Sequence, residues 1–400
     1  MNDHPLTESA LRILETLIAF DTSSRYSNLD LIDFIARYLK DHGIESTLTY
    51  DETGEKANLY ATIGPADIGG LCFSGHTDVV PADGQPWTVP PFALTRKADR
   101  VLGRGTADMK GFLAAVLASV PHFIKTARTT PIHLAFSYDE EVGCKGVPGL
   151  LAELEKSSAK PRACVIGEPT NMRLAVAHKG KRAYRCCVKG LAGHSALTHL
   201  GVNAADFAAE LAVFLRKTAQ KTRDEGPRDE RFVPAYSTIH TGRLTGGIAL
   251  NVIPDHAELD FEIRNLPDED VDGIVDMVRA HVVNVLEPDM HNVSVDTSIR
   301  FEQLVSYPAL NDESATEPAA VWLKKLSWSI LDLETEDTLS FGTEGGLFQR
   351  IGIPTIVCGP GNIADAHRAD EFVEVPQLQR CLHFIQGMAT AVQTDLPASM

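Results

Sequence analysis

Four hundred residues exceed what one hydrophobic core ordinarily serves, so two domains are expected. Apolar residues make up 44% and charged residues 23%, the balance of a globular chain rather than of a disordered or membrane-embedded one. A formal net charge of −17 argues against nucleic acid or an anionic membrane surface as partner. The seven cysteines show no CxxC spacing, and Cys72, Cys164, Cys186 and Cys358 fall inside apolar runs; buried, reduced thiols are expected. The N-terminal stretch lacks a basic leader region, and no apolar run reaches about 18 residues, so a cytoplasmic location without membrane contact is expected.

Taken in chain order, the apolar spacing predicts helices near 6–20 and 27–42, carried by Leu11, Leu14, Leu17 and Ile18 and by Leu31, Phe34, Ile35 and Leu39. A short strand follows at Leu71–Ser74, then a helix at Phe112–Phe123 containing Pro121, then strands at Ile132–Tyr138 and Ala163–Ile166. Such alternation predicts an α/β fold with a mostly parallel, helix-covered sheet. Near residue 180 the pattern changes. Arg182–Val188, Thr238–Arg243, His256–Arg264 and Val293–Thr297 read as strands, and Asn203–Thr218 and Asp270–Leu286 as helices. That is an inserted α+β domain, assigned to residues 181–298. Beyond it, a helix near 316–330 and a strand at Thr355–Cys358 restore the first pattern. Residues 1–180 and 299–400 are therefore expected to form one discontinuous catalytic domain.

Acids and histidines end the apolar runs of that domain: His76 and Asp78 in SGHTDVVP, Asp108 in GRGTADMKG, Glu140 and Glu141 in SYDEEVG, Glu168 in IGEPT, and His367 in GPGNIADAHRADE. Ligands in open α/β sheets bind outside the carboxyl ends of the strands, so residues distant in sequence can meet there. Imidazole and carboxylate together suit zinc and its neighbours among the transition metals, and a set this large exceeds what one ion requires. Two ions some 3.5–4 Å apart need a bridging carboxylate. Each residue has a plainer reading: Asp108 as a helix N-cap, Glu168 before Pro169 as turn chemistry, and Glu140 with Glu141 as a solvated turn. Their coincidence at successive strand ends favours the metal site. GPGNIA matches a dinucleotide-binding pattern only weakly, because Pro360 removes an N–H and no acid stands at the right distance beyond.

In this order and spacing, SGHTDVVP, GRGTADMKG, DEEVG and GEPT resemble the dinuclear zinc amidohydrolases and exopeptidases that include aminoacylase and succinyl-diaminopimelate desuccinylase. The resemblance spans essentially the whole chain. It implies that His76 and Glu168 hold one metal and Glu141 and His367 the other, with Asp108 bridging. It further implies that Asp78 orients His76, that Glu140 is the general base, and that the peptide bond after Asp108 is cis. Zinc is the expected metal, with cobalt or manganese as alternatives. The inserted domain would serve as lid and dimerisation domain of a homodimer. In it, His194 of GHSA matches a histidine that reaches across the dimer to the substrate carbonyl oxygen, and Asn251 and Arg264 match residues that grip the substrate carboxylate.

The segment GTEGGLF, with DGQPW and KGKRAY, is most similar to the acetylornithine-deacetylating branch of that family. Glu344 within it adds a carboxylate suited to the side-chain ammonium of ornithine. The resemblance thus implies hydrolysis of N2-acetyl-L-ornithine, a small N-acyl amino acid, in arginine biosynthesis. The alternatives are a desuccinylase, a broader N-acyl-L-amino-acid amidohydrolase, or a non-catalytic metal-dependent binding protein.

Overall fold

The computed structural model of the protein describes residues 4–313 and 316–396. It divides into two compact units. One combines the chain up to Ala177 with Leu310–Thr338 and the segment from Thr343 onward, and the other takes His178–Ala309 with Leu339–Gly342.

An eight-stranded sheet organises the first unit, in the order Ser46–Tyr50, Ala57–Ile63, Ile132–Ser137, Leu71–His76, Ala163–Pro169, Thr355–Gly359, Ala175–His178 and Asp337–Leu339. The four strands from Ile132–Ser137 to Thr355–Gly359 run parallel. The pairs outside them at Ser46–Tyr50, Ala57–Ile63 and Ala175–His178 are antiparallel. Every residue of the four parallel strands is buried, as expected for strands covered on both faces. The covering helices include His4–Ala19, which buries Leu11, Leu14, Leu17 and Ile18, and Leu29–Asp41, which buries Leu31, Ile32, Ile35 and Leu39.

Lys110–Ala118 is a helix buried at every position. The single helix predicted over 112–123 is two, because Pro121 cannot continue a ladder and instead occupies the first turn of a new helix, Val120–Thr126. Packing against the sheet is close enough to require glycine at 167: a Cβ there would lie 2.0 Å from Phe112 Cγ.

The second unit holds a four-stranded antiparallel sheet in the order Thr238–Gly246, His256–Asn265, Gly180–Lys189 and Ser298–Tyr307. After the exposed His256, buried and half-buried residues alternate strictly along His256–Asn265, which leaves one face for a core. Leu211 and Leu215 of helix Ala204–Glu225, with Ile274 and Val278 of helix Val271–His281, fill that core against Val188, Leu259, Phe261 and Ile263. Asn203 and Asp270 cap the two helices by accepting backbone N–H groups from Ala205 and Gly273.

The boundary expected at 298 lies later. Residues 293–297 are not a strand but the turn before one, and Ser298–Tyr307 pairs along Gly180–Lys189 in the second unit rather than returning to the first. That assignment is made by a cross-strand partner more than a hundred residues away, which local alternation does not record. No described helix is long and apolar enough to cross a membrane. All seven cysteines are free thiols, and six of them are buried.

Candidate dinuclear metal centre

Because the four central strands are parallel, their carboxyl ends open on one edge of the sheet, and the predicted ligands lie along it. His76 is the last residue of Leu71–His76, Glu140 and Glu141 follow Ile132–Ser137, Glu168 is next to last in Ala163–Pro169, and His367 lies in the turns beyond Thr355–Gly359. Asp108 comes from the loop just before helix Lys110–Ala118, and its peptide bond to Met109 is cis. The stretch after Gly359 opens no helix, which removes the phosphate-binding geometry that a dinucleotide site needs.

Two ligand clusters result, His76 with Asp108 and Glu168, and Asp108 with Glu141 and His367; within each, the ligand atoms all lie within 4.8 Å of one another. Asp108 belongs to both and turns one oxygen to each. Its Oδ1 lies 3.0 Å from His76 Nε2, and its Oδ2 3.1 Å from His367 Nε2. His76 Nε2 also approaches Glu168 Oε1 at 3.6 Å, and His367 Nε2 lies 3.0 Å from Glu141 Oε2. The first cluster is buried, whereas His367 leaves the second open on one side.

Asp78 does more than the sequence suggested. The His76 ring is oriented chiefly by the backbone carbonyl of Asp78, 2.9 Å from Nδ1, with the Asp78 carboxylate at 3.5 Å. That carboxylate spends its hydrogen bonds elsewhere. It accepts the backbone N–H of Glu140 at 3.0 Å, that of Glu141 at 3.2 Å, and the Ser24 hydroxyl at 2.7 Å. One side chain therefore holds the loop that carries both the expected base and an expected metal ligand. Lys56 anchors the same loop by donating to both oxygens of Asp139.

The electrostatics fit a site built for cations. Asp78, Asp108, Glu140, Glu141, Glu168 and Glu344 set six carboxylates beside the imidazoles of His76 and His367. Burial pushes Glu140 and Glu168 well above the usual carboxylate range and Glu141 up to about 7, and neighbouring acids add to each. Asp108 falls the other way: against burial, hydrogen bonds from His367 and His76 hold it low. Hydrogen bonds to Asp108 and Glu141 draw His367 up to about 10. Acids crowded this closely need positive charge between them. Two divalent ions meet the same need through ligand types that transition metals favour.

The other predicted residues are distributed. Glu344 lies in the first unit at the N-terminus of the short helix Gly345–Arg350, 1% exposed and with neither oxygen hydrogen-bonded. Burial pushes it up to about 7, a rise opposed by the nearby Ser137 hydroxyl and His76. His194, Asn251 and Arg264 belong to the second unit. The His194 Nδ1 accepts the Ala196 backbone N–H at 3.0 Å, and Arg264 Nε donates to Glu262 at 2.9 Å. Four residues beside the centre, Ser24, Gln85, Arg104 and Glu371, escaped the sequence reading. Arg104 and Glu371 lie a few positions from Asp108 and His367, and an unmatched charge beside each ligand motif was the available signal.

Residues 72–391 match the model of the family described as Peptidase family M20/M25/M40. The chain is 32% identical over 366 residues to an acetylornithine deacetylase of Pasteurella multocida, covering 91% of each. To an acetylornithine deacetylase of Proteus mirabilis it is 33% identical over 363 residues, covering 90% of this chain and 89% of the other. The fold is also that of the Bacillus subtilis YXEP protein, described as a dinuclear metal binding peptidase from the M20 family. That match has a TM-score of 0.67 at 15% identity and covers 98% and 99% of the two chains. The chain belongs to the M20/M25/M40 peptidase family. It is a metal-dependent hydrolase of the kind that includes the acetylornithine deacetylases.

Proposed function

We propose that this protein hydrolyses the acetyl amide of N2-acetyl-L-ornithine to L-ornithine and acetate, a cytoplasmic step of arginine biosynthesis. The observation that carries the reading is the pair of ligand clusters sharing Asp108, in a chain aligned with acetylornithine deacetylases over 91% of its length. His76, Asp108 and Glu168 would hold one divalent ion, and Asp108, Glu141 and His367 the other, zinc foremost with cobalt or manganese able to replace it. Ions bound there supply a Lewis acid for the amide carbonyl and bring the pKa of a water towards 7, by about the amount known for catalytic zinc.

The protein's own groups do the rest. Glu140 takes a proton from the attacking water and delivers it to the amine nitrogen as the C–N bond breaks. Asp78 keeps Glu140 in place through the backbone N–H it accepts. With His194 Nδ1 accepting from Ala196, the proton of the neutral ring sits on Nε2, where it can donate to the carbonyl oxygen as charge develops. In this reading the protein works as a homodimer, with His194 serving the site of the partner copy. Asn251 and Arg264 grip the substrate carboxylate. Glu344, buried without a hydrogen-bond partner, takes the ornithine ammonium, because an enclosed carboxylate left unpaired is costly and a cation relieves it.

Amine release from N-acetyl-L-ornithine, N-succinyl-L,L-diaminopimelate and N-acetyl-L-methionine tests the reading, run with zinc or cobalt and with chelator. Metal-dependent preference for acetylornithine is the expected result. A preference for either other substrate would discard the Glu344 argument while keeping the hydrolase.

A further inference from the structure

His76 and Glu168 stand at the ends of core strands paired to neighbours on both sides, so the sheet itself fixes them. His367 has no such support. It lies in a run of turns outside the sheet, in the left-handed backbone region (φ 60°), with its side chain 49% exposed. Something else must set its distance from Asp108.

A buried ion pair does so. Arg104 and Glu371 are each 1% exposed and joined at 2.6 Å. Glu371 Oε1 accepts the backbone N–H groups of Ala107 at 2.9 Å and Asp108 at 3.1 Å, which fixes the backbone of the shared ligand. The guanidinium reaches the other way: one amino group donates to the carbonyl of Arg368 at 3.4 Å, next to His367, and the other to Gln85 Oε1 at 2.6 Å. Gln85 Nε2 in turn donates to the carbonyl of His367 itself at 3.0 Å. Trp87 lies beneath the guanidinium, 5.0 Å away, and donates its indole N–H to Gln85. From the Asp108 N–H to the His367 carbonyl the chain of contacts is continuous.

The geometry points to Glu371, Arg104 and Gln85 as a positioning clamp in which Gln85 sets the affinity of the Asp108–Glu141–His367 position alone and Glu371, through the shared Asp108, that of both positions. This rests on the two-ion reading above. The pair is enclosed at 1% exposure, and the two amino groups of Arg104 and both oxygens of Glu371 make the contacts that reach the ligand loops; such outer contacts orient metal ligands. Gln85 acts on His367 alone, whereas Glu371 acts through the shared Asp108.

The test is titration of metal-free protein with cobalt(II), following visible absorption and calorimetric heat for each equivalent. His367→Ala, which removes a ligand from one cluster only, identifies the equivalent that belongs to it. In Gln85→Ala, that equivalent should weaken about 10- to 100-fold while the other keeps its wild-type affinity, and in Glu371→Gln both should weaken. The metal-free variants should unfold close to the wild-type temperature. Wild-type affinity for both equivalents in both variants would overturn the clamp, and so would equal weakening of the two in Gln85→Ala, which marks a general scaffold. Fewer than two equivalents in the wild-type protein would overturn the two-ion reading and the clamp with it.

Discussion

Glu140 and Asp78 divide the work of one loop. Glu140 is the proposed base, and Asp78 holds the backbone on which Glu140 and Glu141 ride. Glu140→Gln keeps the shape and removes the base, so kcat should fall by about 10²- to 10⁴-fold with two metal equivalents still bound, as measured by steady-state kinetics beside metal analysis. Asp78→Asn leaves one carbonyl oxygen where two carboxylate oxygens served two amides. A fall in kcat of about 10- to 100-fold with little change in unfolding temperature is expected; unchanged turnover would show that the amides find another acceptor. Glu344→Gln should raise KM for acetylornithine and leave acetylmethionine nearly unaffected, which separates recognition of an ammonium from general damage.

Elements impose their own requirements. Strand Ile132–Ser137 buries His133 between Gly70, whose N–H the ring Nε2 accepts at 3.1 Å, and the hydroxyls of Tyr60 and Thr62 on Nδ1. Burial lowers its pKa to about 4 from 6.5, so the fold takes the neutral ring. The unfolded chain therefore binds the extra proton between those values. The stabilisation is complete above pH 6.5, shrinks as pH falls towards 4, and amounts to at most about 3 kcal/mol. His178 titrates in the same direction, so the comparison is by difference: the urea midpoint of His133→Gln should depend less on pH between 4 and 6.5 than that of the wild type. A parallel dependence would mean that His133 is not the titrating group. In the same layer, Gly167→Ala would drive a methyl group into the Phe112 ring and should cost about 1–3 kcal/mol, read as a lowered unfolding temperature.

The two units differ in what metal does for them. Both candidate ligand clusters lie in the first, so an ion bound there would stabilise that unit against its unfolded chain, by about 2.7 kcal/mol at a hundredfold excess over Kd. The second unit closes its own core over Leu211, Leu259 and Val278 without a ligand cluster among its described residues. Scanning calorimetry with and without chelator should lower the transition of the first unit and leave that of the second in place. Equal shifts would mean that the units unfold as one.

What the sequence by itself determined is the part of the protein written locally. Runs such as LCFSGH and ACVIGEP are apolar to the point where an acid or histidine ends them, so the α/β pattern and the candidate ligands His76, Glu141 and Glu168, with Glu140 beside them, are legible together. The insert was legible too, because the period of its strands changes. Only the tertiary structure decided that Ser298–Tyr307 joins the second unit's sheet, because cross-strand pairing makes that assignment and local spacing does not record it. It alone turned the Asp78 carboxylate towards the Glu140–Glu141 amides and joined Arg104 to Glu371 across more than 260 residues. Hydrogen bonds of that span depend on where the chain returns in space, and no spacing along the chain encodes that return.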